Sequence, residues 1–174
     1  MSEIGLYGIY RDRLFDAAGR LITDSGWKSN LIVTNCRVLL GGFMGGVPTA
    51  RGIQTMQVGR GQPSWDVTPP PPPDPNTTTT LDDPAPFVIP HNTLVFQYLD
   101  NNDAIVAGPT SRIQIVATLG LNQPTPAGSP PFPLREFGLF GELNGQPFMI
   151  DYIRHPLIEK SGAVSLERRV RLVF

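Results

Sequence analysis

Residues Pro69 to Pro73 are five consecutive prolines, followed by Pro75 and by Thr77 to Thr80. Each proline fixes φ and lacks an amide N–H, so no helix interior or central strand can run through this stretch, which instead favours an extended polyproline II conformation. Residues 62–80 are therefore expected to form a long projecting loop. The flanking segments read as parts of one sheet system, so the loop is an excursion from a single domain rather than a linker between two. Loops this long are usually functional or disordered.

The rest of the chain is cut into short pieces by turn residues. Leu14-Phe15 and Arg20-Leu21-Ile22-Thr23 flank Asp16-Ala17-Ala18-Gly19, a hairpin whose Asp and Gly supply the turn chemistry. Thr34-Asn35 offers a helix N-cap before Cys36-Arg37-Val38-Leu39-Leu40. Gly41-Gly42 and Gly45-Gly46 should keep this helix short, and its apolar composition predicts burial on most sides. Ile53 to Val58 reads as a strand stopped by Gly59-Arg60-Gly61. Strands follow over Leu94–Leu99 and Arg112–Ala117, with a turn at Asn101-Asn102-Asp103 between them. Residues 123–133 form a second Pro-rich loop before a strand at Leu134–Phe140. Asn144-Gly145 is a hairpin turn signal, and Phe148, Ile150 and Tyr152 then alternate with their neighbours. In the last strand Val164, Leu166, Val170, Leu172 and Phe174 share a face opposite Glu167, Arg169 and Arg171. Arg168 interrupts the apolar face. It reads as a rim charge reaching solvent, or else needs a carboxylate or a neighbouring subunit as partner. The expected fold is mostly β: a single domain over 1–174, a β-sandwich or irregular barrel of about eight short antiparallel strands with one short helix.

Composition narrows the function classes. The chain has 14 basic and 15 acidic residues, a formal net charge of −1, and no block of like charge, which argues against a dedicated nucleic-acid binder. Charged residues are 17% of the chain, against roughly 25% in a typical soluble domain. With 18 glycines and 19 prolines, that suggests a turn-rich chain whose surface is partly covered by neighbours. No apolar run of about 18 residues is present to span a membrane. Met1-Ser2-Glu3 does not open a signal peptide, so folding in a cytoplasm is expected.

Chemistry-bearing patterns are sparse. Cys36 is the only cysteine, excludes an internal disulfide, and sits in the helix expected to be buried. His91 and His155 form no recognisable metal-ligand spacing with it. Asp82-Asp83 are adjacent, so on a strand they point apart. Gly59-Arg60-Gly61 lacks the further glycines and the Lys-Ser/Thr of a phosphate loop. Asn76-Thr77-Thr78 is a glycosylation sequon without a secretory signal. No catalytic, cofactor-binding or metal residue is assigned, and no enzyme is expected. The candidate interface residues are Trp65, Pro69, Pro70, Pro71, Pro72, Pro73, Pro75 and Arg168. Trp27, Trp65 and Tyr98 are the aromatic candidates for a carbohydrate-binding groove.

Several segments, in order, resemble a known pattern. Gly19-Arg20-Leu21-Ile22, Gly26-Trp27 and Asn30-Leu31-Ile32-Val33-Thr34-Asn35 resemble the opening of tailed-bacteriophage virion structural proteins of the tail-fibre base, tail-tip and baseplate-associated type. Ile53 to Gly61, closing at Thr80-Leu81, is similar to their Val-Gly-x-Gly strand and polar loop. Leu134-Arg135-Glu136-Phe137-Gly138-Leu139-Phe140 is similar to their Arg-Glu-aliphatic-Gly-Leu-Phe strand. Ile153-Arg154 and Ile158-Glu159-Lys160 resemble the ending. The likeness covers roughly residues 14–174 outside the two Pro-rich loops.

The resemblance implies a virion component assembled in the host cytoplasm, with copies of itself and other virion structural proteins as partners. It implies neither a nucleic-acid nor a membrane partner, and a homo-oligomeric state in the particle. Such fibre proteins often continue into a long fibre, whereas this sequence stops at Phe174, so the expected role is an adaptor for the tail, baseplate or fibre attachment. A capsid decoration, or cement, protein is the alternative within the class. A carbohydrate-binding host-attachment module is the alternative outside it.

Overall fold

The computed structural model describes residues 5–174, so Met1-Ser2-Glu3, read above for a leader segment, lies outside it. The chain is mostly β, with 48% strand, 11% helix and twelve strands in two sheets, in keeping with the expected β-sandwich or irregular barrel. The strands are β1 (Tyr7–Phe15), β2 (Leu21–Asp24), β3 (Lys28–Ser29), β4 (Leu31–Ile32), β5 (Arg51–Gly59), β6 (Phe87–Pro90), β7 (Val95–Leu99), β8 (Ile105–Val106), β9 (Arg112–Leu119), β10 (Phe132–Leu143), β11 (Gln146–Lys160) and β12 (Ser165–Val173). One α-helix, α1 (Thr34–Met44), lies between β4 and β5. The strands and helix fall into two compact units.

The first unit combines the described residues up to Asn30 with Asn92–Pro130 and Ser161–Phe174. Its seven-stranded sheet has the order β2-β1-β12-β9-β7-β8, with β3 also paired to β1. The expected hairpin is present as β1 and β2, with Leu14 opposite Thr23. On β12, Leu166, Arg168, Val170 and Leu172 are buried and alternate with half-buried Glu167, Arg169 and Arg171. Tyr10 on β1 and Ile115 on β9 flank Val170 in register, so one face of this sheet is apolar.

Arg168 belongs to that apolar face, and its expected place at the rim or at an interface is corrected here. Its side chain is 2% exposed, and its Nε and Nη2 donate to the two carboxylate oxygens of Asp12 at 2.7 and 2.8 Å. A buried guanidinium needs a charge partner within its own unit, and the strand partner directly opposite supplies one.

The second unit, Leu31–His91 with Pro131–Lys160, holds the five-stranded sheet β4-β11-β10-β5-β6. Its centre is the hairpin of β10 and β11, joined at Asn144-Gly145, where both residues have positive φ (53° and 75°) as a two-residue turn of this hand requires. The strand begins at Phe132, so the second Pro-rich loop is shorter than expected by Phe132 and Pro133. From Leu134 to Gly141 every residue of β10 is buried, because both faces of this central strand are covered. Val33, Leu81, Phe140, Met149 and Tyr152 form a core cluster on which half-buried Leu31 packs.

The helix departs from expectation at both ends and on its surface. Its cap residue is Val33 with no side-chain cap, and the Thr34 N–H is instead taken by the Pro75 carbonyl at 2.9 Å. It continues through Gly41-Gly42, because helical glycine costs about 1 kcal/mol but is not forbidden. It stops where the Gly45 and Gly46 amides bond back to Gly41 and Phe43. Only Cys36 and Leu39 are buried, while Val38, Phe43 and Met44 are exposed, so α1 lies on β10 and β11 by one side only.

Candidate functional site

The Pro-rich segment leaves β5 at Gly59 and returns to the core at Leu81. Its root is built on one row of the five-stranded sheet, in which Gly59, Glu136 and Arg154 lie side by side on β5, β10 and β11. Gly59 is needed for this approach: a Cβ there would stand 2.6 Å from Glu136 Oε1 and 2.9 Å from Asp83 Cβ.

Glu136 is fully buried and holds the returning end of the loop. Its Oε1 accepts the Asp83 N–H at 2.7 Å, and its Oε2 accepts the Asp82 N–H at 3.0 Å. The Tyr152 hydroxyl donates to Oε2 at 2.6 Å, with Asp82 Oδ2 a second acceptor at 2.9 Å. Burial and the adjoining Glu136 carboxylate push the Tyr152 phenol well above its ordinary range, so it stays a donor.

Asp83 is itself buried, and its carboxylate accepts from the Arg60 and Ala85 amides and from the Arg60 guanidinium. Burial raises its pKa, but these donors outweigh it and the group is held below the usual carboxylate range.

Arg154 fastens the loop at three further points. Its Nη2 donates to Asp82 Oδ2 at 3.0 Å and its Nη1 to the Pro71 carbonyl at 3.2 Å. Its guanidinium lies 4.7 Å from the Trp65 ring centre and 5.4 Å from that of Tyr152, within cation–π range. Arg135 holds the departing end through a two-pronged pair with Asp66 at 2.9 and 2.6 Å and a bond to the Arg60 carbonyl. That guanidinium keeps the Asp66 carboxyl below its ordinary range. At the far side, the Thr34 hydroxyl donates to Asn76 Oδ1 at 2.8 Å.

The loop is thus pinned to its own unit at the start, middle and end. Pro69, Pro71 and Pro72 remain exposed, while Trp65, Pro70, Pro73 and Pro75 are half-buried. Of the interface candidates, those seven lie together on this loop, and Arg168 lies in the other unit. The anchors Arg135, Glu136, Arg154, Asp66 and Asp82 were not singled out as site residues. The signal available for them was charge on a central strand: Arg135-Glu136 inside an otherwise apolar run demands local partners.

Trp27 and Tyr98 lie on opposite faces of the seven-stranded sheet. Trp27 stacks under Arg171 at 4.1 Å and Arg11 at 5.9 Å, on the polar face of the seven-stranded sheet. Tyr98 is in register with Ile113 and through it with Leu172, on the apolar face of that sheet. Trp65 belongs to the other unit and is stacked on Arg154. Cys36 is buried, and burial pushes its thiol up to about 11. Among the described residues no group of three or more His, Cys, Asp and Glu side chains is placed to hold a metal ion, and no helix is long and apolar enough to cross a membrane.

No family model matches this chain, and neither the curated proteins nor the solved structures contain a significant match to it.

Proposed function

We propose that this chain is a structural building block of a tailed-phage or related contractile particle, acting at the tail, baseplate or fibre-attachment site through contacts with copies of itself and with other particle proteins. One observation carries the reading: residues 62–80 are fixed in place by Arg135, Arg154 and Thr34, with Glu136 holding Asp82 and Asp83 just beyond them, while Pro69, Pro71 and Pro72 are exposed. A segment already ordered before docking loses little conformational entropy when it docks, and prolines lower that loss further. The order of motifs along the sequence, from Gly19-Arg20-Leu21-Ile22 to Ile158-Glu159-Lys160, supports the same class.

The test uses a triple substitution, Pro69→Ser with Pro71→Ser and Pro72→Ser, which leaves every anchor in place, including the Pro71 carbonyl. Particles purified from producing cells should contain the native chain in fixed stoichiometry. The variant should unfold at nearly the native temperature yet enter particles poorly. Absence of the native chain from particles, or equal incorporation of the variant, overturns the reading. Density located on the head instead of the tail assigns the chain to capsid decoration.

A further inference from the structure

Five of the chain's twelve arginines share the polar face of the seven-stranded sheet: Arg11 and Arg13 on β1, Arg169 and Arg171 on β12, and Arg112 on β9. The register fixes this, because Arg11 faces Arg169, Arg171 faces Gln114, and Arg112 faces Val173. Three carboxylates serve all five. Asp24 pairs with Arg11, Glu167 is shared by Arg13 at 3.4 Å and Arg169 at 2.8 Å, and Asp103 is shared by Arg112 and Arg171 at 2.9 Å each.

The face therefore carries an excess of positive charge on a chain whose formal net charge is −1. The Nε atoms of Arg13 and Arg112 are buried with no hydrogen-bond partner among the described residues. The Arg11 and Arg169 side chains remain 34% and 33% exposed. Stacking on Trp27 and Phe15 holds Arg11, Arg171 and Arg13 in place.

We infer that this face docks an extended acidic polypeptide segment whose carboxylates recur at every second residue. Arg11 and Arg13, and again Arg169 and Arg171, are two apart on their strands, a repeat of about 6.7 Å. An extended peptide with alternate acidic residues has the same repeat, and the guanidinium N–H groups not already given to Asp24, Glu167, Asp103 and Gln114 can receive its carboxylates. A row of phosphates fits less well, because a chain of formal net charge −1 with no block of like charge lacks the wider positive field that draws a nucleic acid. This docking face lies in the unit that does not carry the Pro-rich loop, so it stands independently of the assembly reading.

A labelled synthetic peptide of alternating glutamate and serine tests it by fluorescence anisotropy on the full chain at low salt. It should bind the native protein, should not bind when lysine replaces its glutamates, and should lose affinity as salt rises. The Arg11→Gln, Arg169→Gln double variant should bind roughly tenfold more weakly or worse. Thr118→Glu, at an exposed position opposite Glu167, keeps all five arginines and should also weaken binding, which decides the matter if the double variant fails to fold. Unchanged binding by the folded variants overturns the inference. So does tighter binding of a single-stranded oligonucleotide of equal charge, which would make the ligand a nucleic acid.

Discussion

Asp12 and Arg168 stand directly opposite each other on β1 and β12 and form a two-pronged ion pair, 4% and 2% exposed, on the apolar face of the sheet. Removing one member leaves a buried charge without its counter-charge. Arg168→Ala and Asp12→Ala are each expected to destabilise by about 3–5 kcal/mol. An Asp12→Leu, Arg168→Met double substitution should cost far less than either single change. Denaturant midpoints of the three variants measure this, and additive losses would contradict it.

Lys160 is fully buried at the end of β11, and burial pushes its pKa from 10.5 down to about 8. Between about pH 8 and 10.5 the unfolded chain therefore holds a proton that the folded chain has released, and stability should rise with pH across that window. Below about pH 8 this contribution is constant. Lys160→Met should flatten the rise and raise the denaturation midpoint at neutral pH. Parallel pH profiles for the native chain and the variant would sink the assignment.

Glu136→Gln places an amide where two backbone N–H donors, those of Asp82 and Asp83, must be accepted. A loss of about 1–3 kcal/mol is expected. Hydrogen exchange should increase first over 62–83, where the loop returns to the core. Uniform exchange across β10 and β11 instead would show that Glu136 does not fasten the loop.

Gly59→Ala should cost about 1–3 kcal/mol, since the new methyl group would press on Glu136 Oε1 and Asp83 Cβ. The φ there permits alanine, so the cost comes from the close approach alone. Combining it with Glu136→Gln should give less than the sum of the two losses, read from thermal melts.

What the sequence made legible follows from what is local. The alternation of Leu166, Val170 and Leu172, the turn at Asn144-Gly145 and the hairpin around Asp16 are short-range patterns, and each is present. The partner of Arg168 was legible only as a class, because Asp12 lies 156 positions away. The same holds for Arg135 with Asp66 and for Arg154 with Pro71, 69 and 83 positions apart. The period of two read for Phe148, Ile150 and Tyr152 marks no solvent face, because the alternate residues Met149, Asp151 and Ile153 are buried too, as is every residue of β10 from Leu134 to Gly141. The surface of α1 was misjudged for the opposite reason: apolar Val38, Phe43 and Met44 are left exposed. The arginine face could not be seen as a charge run, because its members are scattered from Arg11 to Arg171 and only the register gathers them.

Strand β12, from Ser165 to Val173, sits between β1 and β9, the earliest and a much later strand of the same sheet. Of the described strands it is the last the ribosome delivers. Until it emerges, the nascent seven-stranded sheet exists as two unjoined pieces, β2-β1-β3 and β9-β7-β8, each with an open edge. Every strand of the five-stranded sheet has already left the tunnel by then, so the unit bearing the Pro-rich loop can mature first and the other waits for its keystone.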